Sequence, residues 1–341
     1  MHILATNGVL IMIWLISFNT AWDRTLVIPT SCQPGRVHRV AQEFGQPGGK
    51  PLNILRVLCA LNTPVTALVA VGGDVGHLIA TGLRKEGLWS HCLPVWLDET
   101  SRICDILVED NNGIATVFNT PGPLLSAQGL VRLQEALGEL GQRVSEGDWV
   151  VISGQFPPGT EAPLEPVVRR LAREGRARLA VDASDTVLKM FVKPPVDLVK
   201  VNAEEFWMAF GNGTDVPESP DEILRQALDW VPQFRENYSD ATLIVTLGRK
   251  GSVLWTGREG YYVESLPVTA VNATGSGDAY LAGLLAAREA QTGWLAATCW
   301  ASAAAAMNAA QMTQGVSDLP GVMTWVPAVP VHKLNLNEIG G

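Results

Sequence analysis

The stretch Val271–Leu285, VNATGSGDAYLAGLL, sets a polar, glycine-bearing turn and an aspartate directly against an apolar run of helical character. Gly275, Ser276 and Gly277 can turn successive backbone N–H groups toward one point, because glycine adopts positive φ without steric cost. At a helix N-terminus those donors, with the helix dipole behind them, make a seat for a phosphate or a developing negative charge. Asp278 then stands at the mouth of that seat, where a carboxylate can take the proton of a hydroxyl as it attacks a phosphoryl group. A plainer description also fits, a turn with Asp278 as helix N-cap.

A second stretch, Pro47–Asn53 (PGGKPLN), pairs with the first. Gly48 and Gly49 let a ligand approach the backbone, Lys50 brings a point charge, and Asn53 lies one turn into the following helix. The spacing is not that of a P-loop, and Pro51 stands where a Ser or Thr would meet magnesium. A β-to-α turn with Pro51 in the first helical turn is the plainer alternative. Three further positions follow predicted strands, where open α/β sheets place their ligands. Asp23 follows the first strand in SFNTAWD, or simply closes a turn. Asn202 and Glu205, in KVNAEE, suit two oxygen groups facing one hydrated cation, or a helix cap. Thr246–Gly251, TLGRKG, is a glycine-bearing turn after LIVTL, or an ordinary hairpin.

Positioning these residues falls to short β-branched runs that alternate with stretches of helical period, the pattern of βαβ units and a mainly parallel sheet. Strands are predicted at Val65–Val71, Trp149–Ser153, Arg178–Asp182, Leu198–Val201 and Leu243–Leu247, with a buried first strand within Val9–Phe18. Helices are predicted at Asn53–Leu61, Leu130–Leu140, Leu164–Glu174 and Asp221–Trp230, and the Ala-rich run Trp294–Gln311 reads as a buried or half-buried helix. Leu26–Phe44 and Ile103–Asn119 break the alternation, with strand-like spacing and turns at Gln33–Gly35 and Asp110–Gly113, so a small β subdomain is expected beside the main sheet. There is no internal repeat or long linker, which favours one continuous core with an attached flap.

Composition excludes several classes. The 341 residues carry a net charge of −9, which opposes non-specific nucleic-acid binding. Five scattered cysteines without a Cys-x-x-Cys pair, and five dispersed histidines, indicate neither a disulfide framework nor a zinc site; a reducing cytoplasm is the expected setting. The apolar run Val9–Phe18 is too short to span a bilayer and lacks the flanks of an export signal, so no membrane partner is expected.

Taken together and in this order, FNTAWDRTL, GRVHRV, PGGKPLN, ETSRICDIL, ISGQFPPG, KVNAEE, TLGRKG and GSGD resemble the ribokinase-type, or phosphofructokinase B, carbohydrate kinases from about Met12 onward, and most of all their 1-phosphofructokinase and tagatose-6-phosphate kinase branch. The resemblance implies a three-layer α/β fold, with a mainly parallel central sheet, helices on both faces and a small β-sheet lid. One domain would span 12–330, with lid segments at 26–44 and 103–119; residues 1–11 would be an extension or a misplaced start, and 331–341 a tail. It implies an ATP- and magnesium-dependent kinase for a ketohexose monophosphate, fructose 1-phosphate first and tagatose 6-phosphate second, and a homodimer through the lid. The rival readings are a kinase for a neutral sugar or nucleoside, and a degenerate sugar-phosphate sensor.

Residue by residue, the likeness makes Asp278 the catalytic base and Gly275, Ser276 and Gly277 the anion hole. Asp23, Gly48, Gly49 and Asn53 would bind the sugar, and Lys50 and Arg102 its phosphate. Asn202 and Glu205 would position magnesium through water. Thr246, Gly248, Arg249, Lys250 and Gly251 would line the nucleotide, with Asn308 near the adenine. The chain departs from the family's pattern at Thr20, Pro51, Gln155, Val201 and Asn272. Pro51 and Gln155 bear on substrate identity.

Overall fold

The computed structural model describes residues 11–192, 195–210, 241–311, 316 and 318–334. The helix expected at Asp221–Trp230 lies outside them. Along the chain run β1 (Ile13–Ser17), β2 (Ala21–Ile28), β3 (Gln42–Gly48), α1 (Lys50–Ala60), β4 (Val65–Gly72), α2 (Gly73–Lys85), β5 (Cys92–Leu97), β6 (Arg102–Glu109), β7 (Ala115–Phe118), α3 (Ala127–Gly141) and β8 (Trp149–Ser153). They are followed by α4 (Glu161–Glu174), β9 (Arg178–Asp182), α5 (Asp185–Phe191), β10 (Leu198–Asn202), α6 (Ala203–Phe210), β11 (Thr242–Thr246), β12 (Ser252–Trp255), β13 (Gly260–Val263), α7 (Ser276–Glu289), α8 (Trp294–Ala309), α9 (Leu319–Trp325) and β14 (Val331–Lys333).

The main sheet has the order β14-β13-β12-β11-β10-β9-β8-β1-β4-β5. It is parallel from β5 to β11, and β12, β13 and β14 extend it in antiparallel fashion. Strand alternation divides the interior. Ile13, Leu15, Trp149 and Val151 enter one core with α1, α2, α7 and α8, whereas Trp14, Ile16, Val150 and Ile152 enter the other with α3, α4 and α5. Because helices cover both faces, every residue of β1 and β8 is buried, and these strands read as continuous apolar runs. α7 is buried nearly all round, and Gly283 lets it approach α8: a Cβ there would lie 2.8 Å from Ala304 Cβ. Among the described residues no helix is long and apolar enough to cross a membrane.

The expected β subdomain is a four-stranded sheet, β3-β2-β6-β7, wider at its edges than the sequence spacing indicates, since β2 begins at Ala21 and β3 runs to Gly48. β2 and β6 are parallel, with Ala21 opposite Arg102 and Asp23 opposite Cys104. The connectivity explains where a ligand fits. From β1 the chain passes through this small sheet to β4 and β5 on one side, then returns to β8 through β11 on the other. The carboxyl ends of β1 and β8 therefore flank the switch point of the sheet, where a crevice opens.

Candidate active site

The turn before α7 is built as a helix N-terminus with its amides exposed to one side. Gly275 is the N-cap, in the left-handed region at φ 78°, and Ser276 is the first helical residue. Asp278 is thus the third helical residue and makes no capping bond, so the N-cap description does not hold. Of the first-turn amides, that of Ser276 bonds Ala273 O and that of Ala279 bonds Gly275 O. Among the described residues the amides of Gly275, Gly277 and Asp278 have no partner, which leaves them open to an anion. Asn308 holds the turn from behind, donating to Thr274 O and Ser276 Oγ, both at 3.0 Å. It is buried and is not among the residues that wall the adjoining cleft.

Asp278 is 6% exposed, and Asn53 Nδ2 donates to its Oδ2 at 2.8 Å. Burial pushes its carboxyl up to about 6, while Lys50, the Asn53 amide and Lys200 pull it down and Asp182 adds to the rise. α1 brings Lys50 and Asn53 here because Gly49, at φ 106°, turns the chain out of β3 into the helix, with Pro51 in the first turn. Gly48 serves the neighbouring strand: a Cβ there would fall 2.1 Å from the Asp23 carboxyl carbon. Burial raises the Asp23 carboxyl above its usual range, against the pull of Arg102, Arg56 and the Gly49 amide.

Lys50 Nζ reaches Glu205 Oε1 at 2.8 Å and Asp182 Oδ1 at 3.2 Å, and Lys200 Nζ reaches Asp182 Oδ2 at 3.0 Å. Burial alone would lower the Lys50 ammonium; Asp182, Glu205 and Asp278 together override it and hold it above its ordinary range. Burial would likewise raise Asp182, but Lys200 and Lys50 hold it low. Lys50 is therefore charged and fixed by carboxylates at the centre of the site. Asn202 and Glu205 form a capping box at α6: Glu205 N donates to Asn202 Oδ1 at 2.7 Å and Asn202 N to Glu205 Oε2 at 3.0 Å.

Two cavities meet at these groups. The smaller, about 400 Å³, lies between the switch point and the small sheet and is lined by Asn19, Asp23, Asn53, Arg102 and Gln155 among others. The larger, about 920 Å³, is walled by Thr246, Gly248, Arg249, Gly251 and the apolar Leu266, Val268 and Ala306. Lys250 is exposed and lies off this wall, because the Thr246–Gly251 turn is the hairpin joining β11 to β12 and points its last side chain outward. Lys50, Glu205, Gly275 and Asp278 line both cavities. Arg102 donates from Nε to Asn19 O at 3.1 Å and from Nη1 to Thr120 O at 2.8 Å, and forms no ion pair among the described residues. Asn19 Oδ1 and Ser153 Oγ, on residues of the smaller cavity, are buried without a hydrogen-bond partner among the described residues, an arrangement that suits a polyhydroxy ligand.

The sequence pattern of the pfkB family carbohydrate kinases matches residues 17–320. The chain belongs to the pfkB family. It is similar to the 1-phosphofructokinase of Haloferax volcanii, with 29% identity over 82% of this chain and 84% of that protein. It is also similar to the D-tagatose-1-phosphate kinase of Klebsiella oxytoca, with 26% identity over 80% and 84%. In fold it matches the phosphofructokinase-2 of Escherichia coli in complex with fructose-6-phosphate, with a TM-score of 0.79 at 20% identity, covering 94% of this chain and 99% of that one.

Within this pfkB kinase, three residues of the site escaped the sequence reading: Asp182, Lys200 and Arg56. Two left a signal. Lys200 interrupts the β-branched run LVKVN, and a lysine in a buried strand needs an anionic partner. Asp182 closes the strand RLAVD at a carboxyl end. Arg56 left none, since an arginine on a helix is ordinarily solvated.

Proposed function

We propose that this pfkB kinase transfers the γ-phosphoryl group of ATP to a hydroxyl of a ketohexose monophosphate, fructose 1-phosphate first and tagatose 6-phosphate second. The observation that carries the reading is the shared wall: Asp278, Gly275, Lys50 and Glu205 face both a polar cavity under the small sheet and a larger, partly apolar cleft. A group passing between two bound substrates crosses there. In the smaller cavity Asp23 and Asn53 meet sugar hydroxyls, and Arg102, with no carboxylate partner, meets the phosphate already present; its planar fork matches phosphate oxygens. Thr246, Gly248, Arg249 and Gly251 line the nucleotide.

In the reaction, Asp278 accepts the proton of the attacking hydroxyl, whose oxygen bonds the γ-phosphorus as the bond to the β-phosphate oxygen breaks and ADP leaves. The amides of Gly275, Gly277 and Asp278 face the migrating group. Lys50, which the resemblance places on the sugar's phosphate, takes a different part here: two carboxylates fix it on the boundary, where it offsets the charge of the phosphoryl group in transit. The half-buried Glu205 carboxylate and Asn202 would hold magnesium through water, since their oxygens already accept from Lys50 and from each other's backbone N–H. When bound, that ion neutralises phosphate charge.

The deciding experiment is ADP release with fructose 1-phosphate, fructose 6-phosphate, tagatose 1-phosphate, tagatose 6-phosphate and the unphosphorylated ketohexoses. Turnover is expected on the monophosphates. A kcat/KM higher on a neutral sugar than on every monophosphate would overturn the reading.

A further inference from the structure

The carboxylate at the centre of the site is met by a chain of polar side chains that runs outward through α1 to α2. Asn53 Nδ2 donates to Asp278 Oδ2 at 2.8 Å, and Arg56 Nη1 donates to Asn53 Oδ1 at 2.9 Å. Arg56 in turn donates from Nε to Glu86 Oε2 at 2.7 Å and from Nη2 to Glu86 Oε1 at 3.1 Å. Its Nη2 also bonds Pro47 O. The guanidinium is thereby held in one orientation between the residue that follows α2 and the end of β3.

Asn53 stands between a group that can only donate and one that, when ionised, can only accept. Both ends select the same orientation of its amide. We propose that Arg56, fixed by Glu86, is a positioning residue that locks the Asn53 amide with its NH2 toward Asp278, so that the base is held ionised and its Oδ1 is left for the acceptor hydroxyl. This rests on the reading of Asp278 as general base.

The physical effect is on which protonation state of Asp278 finds a partner. With the amide locked, a protonated Asp278 has no acceptor at Asn53, whereas the carboxylate has a donor. Without Arg56 the amide can turn over, and its oxygen then accepts from the protonated form. The other charged groups facing Asp278 are Lys50 from α1 and Lys200 from β10, which favour the carboxylate, and Asp182 from β9, which opposes it. Arg56 itself faces Glu86, and its charge also bears on Asp23.

The test compares Arg56→Met and Glu86→Gln with the unaltered protein. kcat is followed against pH at saturating ATP and fructose 1-phosphate, and the Asp278 carboxyl is titrated by carbon-13 NMR, with its signal assigned by absence from Asp278→Asn. In Arg56→Met the acidic limb and the titration are expected to move up by about one pH unit, so that kcat near pH 6 falls several-fold and recovers by pH 8. Glu86→Gln should move both in the same direction by a smaller amount. It keeps the Arg56 charge near Asp23, so a shift there does not originate at Asp23. If Arg56→Met does not fold, Arg56→Lys, which retains the charge but not the two-pronged grip on Glu86, takes its place with an intermediate shift expected. Variants that melt lower while the limb and the titration stay in place would overturn the proposal. The two readings fail separately: a near-normal rate in Asp278→Asn removes the base, whereas an unmoved titration removes the lock.

Discussion

Asp278 is the residue on which the proposed chemistry turns, and its surroundings make its contribution separable from folding. Because Gly275 rather than Asp278 caps α7, Asp278→Asn removes no cap. The rate should fall by about two to four orders of magnitude, the usual worth of a positioned base. Stability should move the other way. The folded carboxyl sits near 6 against an ordinary 3.8, so its contribution to stability is fully present below 3.8 and is lost as pH rises through 6. At pH 8 the ionised form is therefore a cost, and Asp278→Asn should melt at the same or a higher temperature than the unaltered protein. Thermal melting and steady-state kinetics together check this, and a variant that melts normally and turns over at the original rate would remove Asp278 from the mechanism. The same raised value sets the pH response: only the carboxylate accepts a proton, so kcat should fall below an apparent pKa near 6, read from a pH–rate profile. At Arg102 the expected loss differs in kind. Its proposed contact is to a phosphate that does not react, so Arg102→Ala should raise KM for the sugar phosphate roughly ten- to a hundred-fold, with kcat little changed.

At the scale of elements, the small sheet and the switch point enclose the smaller cavity, the proposed acceptor site, between them. Asp23 and Arg102 sit on β2 and β6, Asn19 follows β1, Ser153 closes β8 and Gln155 follows it. A sugar phosphate bridging these two sides should draw the small sheet down and exclude water that would otherwise hydrolyse ATP. Amide exchange in β2, β3, β6 and β7 is therefore expected to slow at saturating fructose 1-phosphate; unchanged exchange in all four would argue against closure. These elements were legible in outline. The strands Trp149–Ser153 and Arg178–Asp182 form where expected, since short apolar runs bounded by turns are local signals. α2 and the strands β5, β12, β13 and β14 were not anticipated, because several of them are short or carry mixed polarity and depend on neighbours for their pairing.

For the whole molecule, the two cores on either side of the sheet supply the rigidity that holds groups from distant segments in register. The start of the chain tests where that core begins. Met12 N bonds Asp148 Oδ1 and Trp14 Nε1 bonds Asp148 Oδ2, each at 2.9 Å, so the fold is tied down from Met12 onward. Ile11, however, is buried. A chain starting at Met12 should fold and turn over with unchanged kcat/KM but lose about 1–2 kcal/mol of apolar burial, and melt a few degrees lower. Loss of soluble protein on that truncation would show that residues before Met12 are part of the folding unit.

The chemistry-bearing residue types were determined locally: Gly275 and Gly277 before a helix, Asp278 beside them, Gly49 and Asn53 in the other turn, and the alternation of strands and helices that carries them. Each of those follows from backbone freedom or apolar period within a few residues. What the tertiary structure alone decided is who meets whom. Asn53 and Asp278 are 225 residues apart and Lys50 and Asp182 are 132 apart, yet each pair shares a hydrogen bond. The fold likewise sets Lys50 between two carboxylates where two cavities meet, Asn308 behind the turn that opens α7, and Arg56 against Asn53. A charge or an amide can pair with any complementary group the fold brings near, and no spacing along the chain says which one the packing of two cores will deliver.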